Sequence, residues 1–289
     1  MKVNALISAL VMVAGLSACA TVETPVTPAV SKVIPTVDLA EALAPLQTLP
    51  AEKTLVVFDI DDTLLTATEF FGSDKWYDWQ RGRALDAQGQ PQPIADGDKV
   101  ACLFDTLGIS FEIATNVPTQ ANMANLVHSI KNDIVILTAR SGAYRAATMR
   151  ELARNDLDFK SKHMLGDKQA LVYDVTMDGR TAQVSYQQGV FMASGMNKGV
   201  MLLDLLSKVN QHYDNVIFVD DKLKNITNMQ KALATAGVNF YGFHYQKVDK
   251  SVSDEEVAEA KAAEAGLLSL LNHHYPQRGA NFAAGQCDY

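Results

Sequence analysis

Positive charge is in short supply in this chain. Its 289 residues carry 25 Lys and Arg against 33 Asp and Glu, a formal net charge of −8 with histidine neutral. General binding to nucleic acid needs a basic surface to neutralise phosphates, so this balance argues against that function class. Long apolar runs are also missing. After residue 20 no stretch is long and apolar enough to span a bilayer, which excludes a polytopic membrane protein. No internal repeat is visible, and cysteine is scarce, at three residues. The remainder is ordinary: 48% hydrophobic and 20% charged residues are the composition of a globular protein, in a chain long enough to bury a substantial core.

The N-terminus is a basic start followed by an apolar run from Ala5 to Leu16 and then small residues, Ser17-Ala18-Cys19-Ala20. This is the pattern of a secretory signal, too short for a membrane span. Leu16-Ser17-Ala18-Cys19 also resembles the lipobox of bacterial lipoproteins. That resemblance implies a signal peptide over 1–18, with Cys19 as the lipidated first residue of the mature chain; the alternative is a plain signal peptide with a chance cysteine. Ala20 in place of Asp implies sorting to the outer membrane, facing the periplasm, where acyl chains anchor a protein without a transmembrane helix. The other two cysteines, Cys102 and Cys287, either pair as a disulfide in that oxidising compartment or remain two free thiols.

Residues 19–50 hold five of the nine prolines and read as a tether, with a short helix capped by Asp38 and interrupted at Pro45. From residue 51 to 289 the pattern is that of one α/β domain. Thr54 to Phe58, Asp133 to Leu137 and Asn215 to Val219 are continuous apolar runs, as in parallel strands buried on both faces, and Val238 to Phe243 adds a fourth. Helical stretches lie between them, at Gln120 to Lys131, Gly142 to Asn155, Lys198 to Tyr213 and Asn225 to Ala236. The expected fold is therefore a Rossmann-like open parallel sheet with helices on both faces. Two segments read as cap-type insertions at its edge: an aromatic-rich stretch near 66–118, and a hairpin near 170–194 turned at Asp178-Gly179. Trp76, Tyr77 and Trp79 in the first serve either as insertion core or as substrate contacts. A further helix is expected from Asp254 to His274.

Polar residues follow each strong strand: Asp59-Ile60-Asp61-Asp62-Thr63, Thr138-Ala139-Arg140, and Asp220-Asp221 with Asn225 beyond. Open α/β sheets bind ligands at the carboxyl ends of their strands, so the three sets are expected to share one crevice. So many carboxylates repel one another unless a cation binds, and oxygen ligands select a hard one, Mg²⁺.

These motifs resemble the haloacid dehalogenase superfamily of aspartate-nucleophile phosphatases, in correct order over roughly residues 54 to 245. The carrying residues are Asp59, Asp61 and Thr63, then Thr138, then Lys198, then Asp220 and Asp221. The resemblance implies that Asp59 is the nucleophile, Asp61 the acid and base, and Lys198 a neutralising charge. It further implies that Thr138 and the Ala139 amide hold phosphoryl oxygens. Mg²⁺ would sit on Asp59, the Asp61 carbonyl, and Asp220 or Asp221. The implied partner is a small phosphorylated molecule. Asp62 reads as a helix-capping or solvated neighbour, and His273-His274 as surface. A scaffold lipoprotein that has lost turnover, or a phosphotransferase, are the alternatives to a phosphomonoester hydrolase.

The anchor expectation rests on Leu16-Ser17-Ala18-Cys19 alone. Cys19→Ser should abolish both acylation and lipoprotein-type cleavage. Incorporation of labelled fatty acid by that variant, with recovery in the outer-membrane fraction, would show the reading to be wrong.

Overall fold

The computed structural model describes residues 29–162, 164–165 and 170–288. The signal segment and Cys19 lie outside the described residues. In chain order the first elements are β1 (Ser31–Thr36), α1 (Leu39–Leu43), β2 (Thr54–Phe58), β3 (Leu65–Ala67) and α2 (Asp74–Gln80). Then come α3 (Leu103–Ile113), β4 (Asn116–Pro118), α4 (Met123–Ser129), β5 (Ile134–Thr138) and α5 (Arg145–Arg154). Strands β6 (Ala170–Met177), β7 (Arg180–Gln187) and β8 (Val190–Met192) precede α6 (Lys198–Lys208) and β9 (Asn215–Asp220). The chain closes with α7 (Leu223–Thr235), β10 (Asn239–Tyr245), α8 (Asp254–His274) and α9 (Pro276–Ala283).

Eight strands form one sheet in the order β1-β10-β9-β2-β5-β8-β7-β6, parallel from β1 to β8 and antiparallel in the last two pairings. The central strands are apolar on both faces because both are covered. Val56 and Phe58 of β2 pack with α1, α4 and α5, whereas Leu55 and Val57 pack with α6 and α7. The α/β architecture expected from the alternating runs is the one observed.

Two expectations about the periphery need correction. The tether does not extend to residue 50. Ser31–Thr36 is an edge strand paired with β10, and Asp38 then caps α1 through the Ala40 N–H. Pro35 suggests a tether because it removes a ladder donor, but an edge strand tolerates it. The hairpin at 170–194 is likewise part of the main sheet, because β8 pairs with β5 and carries β7 and β6 outward. Its Asp178-Gly179 turn has φ of 51° and 76°, the left-handed pair that a two-residue hairpin requires.

Residues of the 66–118 segment gather into a small unit with an apolar cluster of its own, and Phe111 of α3 joins it to the core on one face of the sheet. Trp76, Trp79 and Leu107 are buried there against Val252 and Ala260, so α8 is part of this unit and the two tryptophans are its core. Ser253 and Glu256 start α8 with a reciprocal capping box. No helix among the described residues is long and apolar enough to cross a membrane.

Cys102, just before α3, forms a disulfide with Cys287 beyond α9, with their Cα atoms 5.3 Å apart. The bridge closes the chain over a sequence separation of 185, so it removes much freedom from the unfolded state. Replacing both cysteines by serine should cost about 5 kcal/mol on the loop-entropy scale. Equilibrium urea unfolding of the oxidised wild type against that variant measures it; coincident transitions would contradict a constraining role.

Candidate active site

Strands β9, β2 and β5 are neighbours and parallel, so their carboxyl ends meet at one edge of the sheet. Asp59 follows β2, Thr138 ends β5 and Asp220 ends β9. The chain turns sharply after Asp59. The N–H groups of Thr63, Leu64 and Leu65 all donate to the Ile60 carbonyl, and Asp62 takes a positive φ of 54°. Aspartate accepts that conformation more readily than most residues.

Lys198 reaches the same edge from the first position of α6, whose N-terminus Asn197 caps through the Gly199 and Val200 N–H groups. Gly199 lets the helix approach α7 closely, since a Cβ there would lie 2.6 Å from the Asn228 carbonyl oxygen. The Lys198 ammonium is 2.7 Å from Asp59 Oδ1 and 2.7 Å from Asp220 Oδ2, and its side chain is 2% exposed. Burial opposes that charge, yet Asp220 and Asp59 hold its pKa above the usual lysine value. Burial pushes the Asp59 carboxyl up to about 7 against the opposing pull of Lys198. Of the other lysines near this part of the chain, Lys160 pairs with Asp158 and Lys162 donates to the Ile130 carbonyl, while Lys168 lies outside the described residues.

The adjacent pair Asp220-Asp221 divides in two. Asp220 is saturated: besides Lys198, it accepts from Asn225 Nδ2 with both oxygens and from the Lys222 N–H. Asp221 is buried too, but neither carboxylate oxygen has a hydrogen bond of regular geometry. Among the described residues it is ion-paired with Lys250, whose Nζ is 2.7 Å from Oδ2. Burial first, and then the Asp74 charge, raise its pKa well above the ordinary carboxylate value.

Asp59, Asp220 and Asp221 each offer an oxygen within 4.8 Å of the others. An all-oxygen donor set with orphaned buried carboxylate oxygens fits a hard divalent cation. Asp221 and Asp59 are the members best able to ligate it, because Asp220 is already engaged.

Asp61 lies apart from that set. Arg140 grips it in a two-point fork, Nη2 to Oδ1 at 2.6 Å and Nε to Oδ2 at 3.1 Å. The guanidinium is itself held by Thr148 and stacks 4.1 Å from the centroid of Phe111. Thr138 is buried at the strand end, and Ala139 is exposed beside it. Asp62 is not a solvated neighbour. It is buried, accepts from Thr66 Oγ1 at 2.6 Å and pairs with Lys250.

Sequence reasoning assigned no role to Arg140, Lys222, Lys250 or Asp74. Lys222 and Lys250 link the insertion to the site: Lys222 pairs with Asp74 at 2.9 Å and Asp78 at 3.2 Å, and Lys250 with Asp74 at 3.0 Å. Arg140 follows Thr138 and Lys222 follows Asp221, so adjacency to the motifs was a signal for both. Lys250 carried none. His273 and His274 are exposed, as expected.

Removing one partner of a buried ion pair leaves an uncompensated charge. Lys198→Met should therefore lower stability by about 3–5 kcal/mol, as is typical when a buried pair is broken. Unfolding in urea measures it, and a loss of no more than a surface pair's worth, about 1 kcal/mol or less, would contradict the burial argument.

Among solved structures, the class C acid phosphatase from Bacillus anthracis is similar at 14% identity and a TM-score of 0.35, covering 78% of this chain and 84% of that one. A Thermotoga maritima protein assigned as a β-phosphoglucomutase is similar at 16% identity and a TM-score of 0.35, covering 72% of this chain and 91% of that one. A comparison with curated protein sequences gives no match. The family model that matches, over residues 33–276, is DUF2608, described as a protein of unknown function, and the chain belongs to that family.

Proposed function

We propose that this chain is a Mg²⁺-dependent phosphomonoester hydrolase that works through an aspartyl-phosphate. The observation that carries the reading is the division of labour among carboxylates at one sheet edge. Asp59 is buried on Lys198, Asp61 is partly exposed on Arg140, and Asp221 is buried with its oxygens unclaimed by hydrogen bonds. A merely structural acidic cluster has no reason to hold two neighbouring carboxylates in such different surroundings.

In this reading Asp59 attacks phosphorus, and the bond from phosphorus to the ester oxygen breaks. Asp61 gives its proton to the leaving oxygen. It then takes one from water, whose oxygen attacks the aspartyl-phosphate to release inorganic phosphate and free Asp59. Arg140 positions Asp61 through both oxygens here, and gives up one of the two bonds when that oxygen carries the proton. Lys198 offsets charge on Asp59 and the phosphoryl group, while Thr138 and the Ala139 amide hold its remaining oxygens. Mg²⁺, held by Asp59, Asp221 and the Asp61 carbonyl, would supply positive charge against the phosphoryl oxygens. The substrate is a small phosphorylated molecule.

The proposed location is the periplasm, on an outer-membrane anchor at Cys19. The lipobox-like Leu16-Ser17-Ala18-Cys19 supports it, and so does the Cys102–Cys287 disulfide, which suits an oxidising compartment.

The two first-motif carboxylates can be separated kinetically. Asp59→Asn should form no covalent intermediate, because an amide is too weak a nucleophile. Asp61→Asn should give a burst with a nitrophenyl ester, whose leaving group needs no proton, and then turn over slowly with phosphate trapped on Asp59. Excess chelator should abolish turnover, and Mg²⁺ should restore it. Rapid quench with mass spectrometry of the Asp59 peptide decides the assignment: normal turnover of Asp61→Asn, or phosphate on another residue, would overturn it.

A further inference from the structure

Lys250 sits outside every motif, on the segment between β10 and α8, yet it meets three carboxylates from three separate parts of the chain. It pairs with Asp62 from the turn after β2, with Asp74 Oδ2 at 3.0 Å from α2, and with Asp221 Oδ2 at 2.7 Å from the end of β9. Asp221 belongs at once to this set and to the set with Asp59 and Asp220. Its side chain is 2% exposed, and neither oxygen has a regular hydrogen bond. One buried carboxylate thus belongs both to an ion pair with Lys250 and to the candidate metal-binding set.

We infer that Lys250 is a tethered counter-cation of the metal centre, whose ammonium shares Asp221 with the divalent ion and thereby sets the site's affinity for it. The inference rests on the metal reading above. Without the ion, three closely spaced carboxylates need positive charge, and Lys250 supplies it. With the ion bound on Asp221, an ammonium paired with the same carboxylate repels it; Asp221 is buried but the Lys250 side chain is 36% exposed, so solvent screens that repulsion in part. Lys250 therefore weakens the hold on the cation while keeping the empty site folded. Lys222 is the internal comparison. It carries the same charge and pairs with Asp74 and Asp78, and feels Asp221 only at longer range, without the direct contact that Lys250 makes.

The test is calorimetric titration of Mg²⁺ into the metal-stripped full chain, with thermal melts in chelator and in Mg²⁺. Lys250→Met should bind Mg²⁺ about tenfold more tightly or better, since it removes a repulsive charge at close range. Lys250→Arg should stay near wild type, and Lys222→Met should change affinity less than Lys250→Met. The Lys250→Met chain should also lose melting temperature in chelator and gain more from Mg²⁺ than the wild type does. A variant that folds only when Mg²⁺ is present is the strongest form of that result. One that stays unfolded in both conditions overturns the inference, because the ion then fails to replace the ammonium. Unchanged or weaker binding by Lys250→Met also overturns it, and would make Lys250 a support for Asp221. If the wild type binds no Mg²⁺, the metal reading itself falls; if the wild type binds and Lys250→Met is no tighter, only this inference does.

Discussion

Lys198 is buried between Asp59 and Asp220, and the carboxyl edge of the sheet depends on that contact. Parallel pairing of β9, β2 and β5 brings their ends together, so the acidic residues that follow each strand are forced into one place. Buried carboxylates at that spacing would otherwise take up protons or push the strand ends apart. The geometry of α6 follows from the same need. Asn197 caps it so that Lys198 falls at its first turn, and Gly199 allows the close approach to α7 that seats it there.

Positive charge is the scarcer sign in the whole chain, but at this edge it is concentrated. Lys198, Arg140, Lys222 and Lys250 each contact one or more aspartates of the site or its rim. The pairing gives neighbouring carboxylates different properties. Burial raises the pKa of Asp59, Arg140 holds Asp61 by both oxygens, and Asn225 with Lys198 occupies Asp220, which leaves Asp221 with capacity to spare. Distinct surroundings for like groups are what acid–base and nucleophilic chemistry demand of a shared site.

The insertion unit meets the core through ion pairs and through α3, where Phe111 packs on Tyr144 and Arg150 pairs with Glu112. Lys222 and Lys250 join α2 to the ends of the core strands through Asp74, Asp78 and Asp62. Within the unit, the disulfide and the Arg278–Asp105 pair fasten the C-terminal segment to α3 and its N-terminal flank. The lysine links touch the same carboxylates that form the site. The position of the insertion and the charge state of the site are therefore coupled by direct contact.

The central layer was legible from sequence because strands buried on both faces must be continuously apolar, as Thr54–Phe58 is, and because their polar ends stand out against that background. The three motif sets were placed at one edge by the same logic, and the structure brings them there; Lys198 was indicated by the family resemblance instead, and it reaches that edge from a helix start. The edge strand Ser31–Thr36 was not legible: it is mostly exposed, so it lacks an apolar pattern, and its proline mimics a tether. That the 170–194 hairpin extends the main sheet depends on β8 meeting β5, a contact without a local signature. Lys250 is the clearest case. It lies 188 residues from Asp62, and nothing in its neighbours along the chain announces its ion pairs with buried carboxylates. Sequence alone determined which chemical groups terminate the strands, since that is a matter of local pattern. Only the tertiary structure decided which cation each carboxylate meets, because charge pairing across long separations is set by packing.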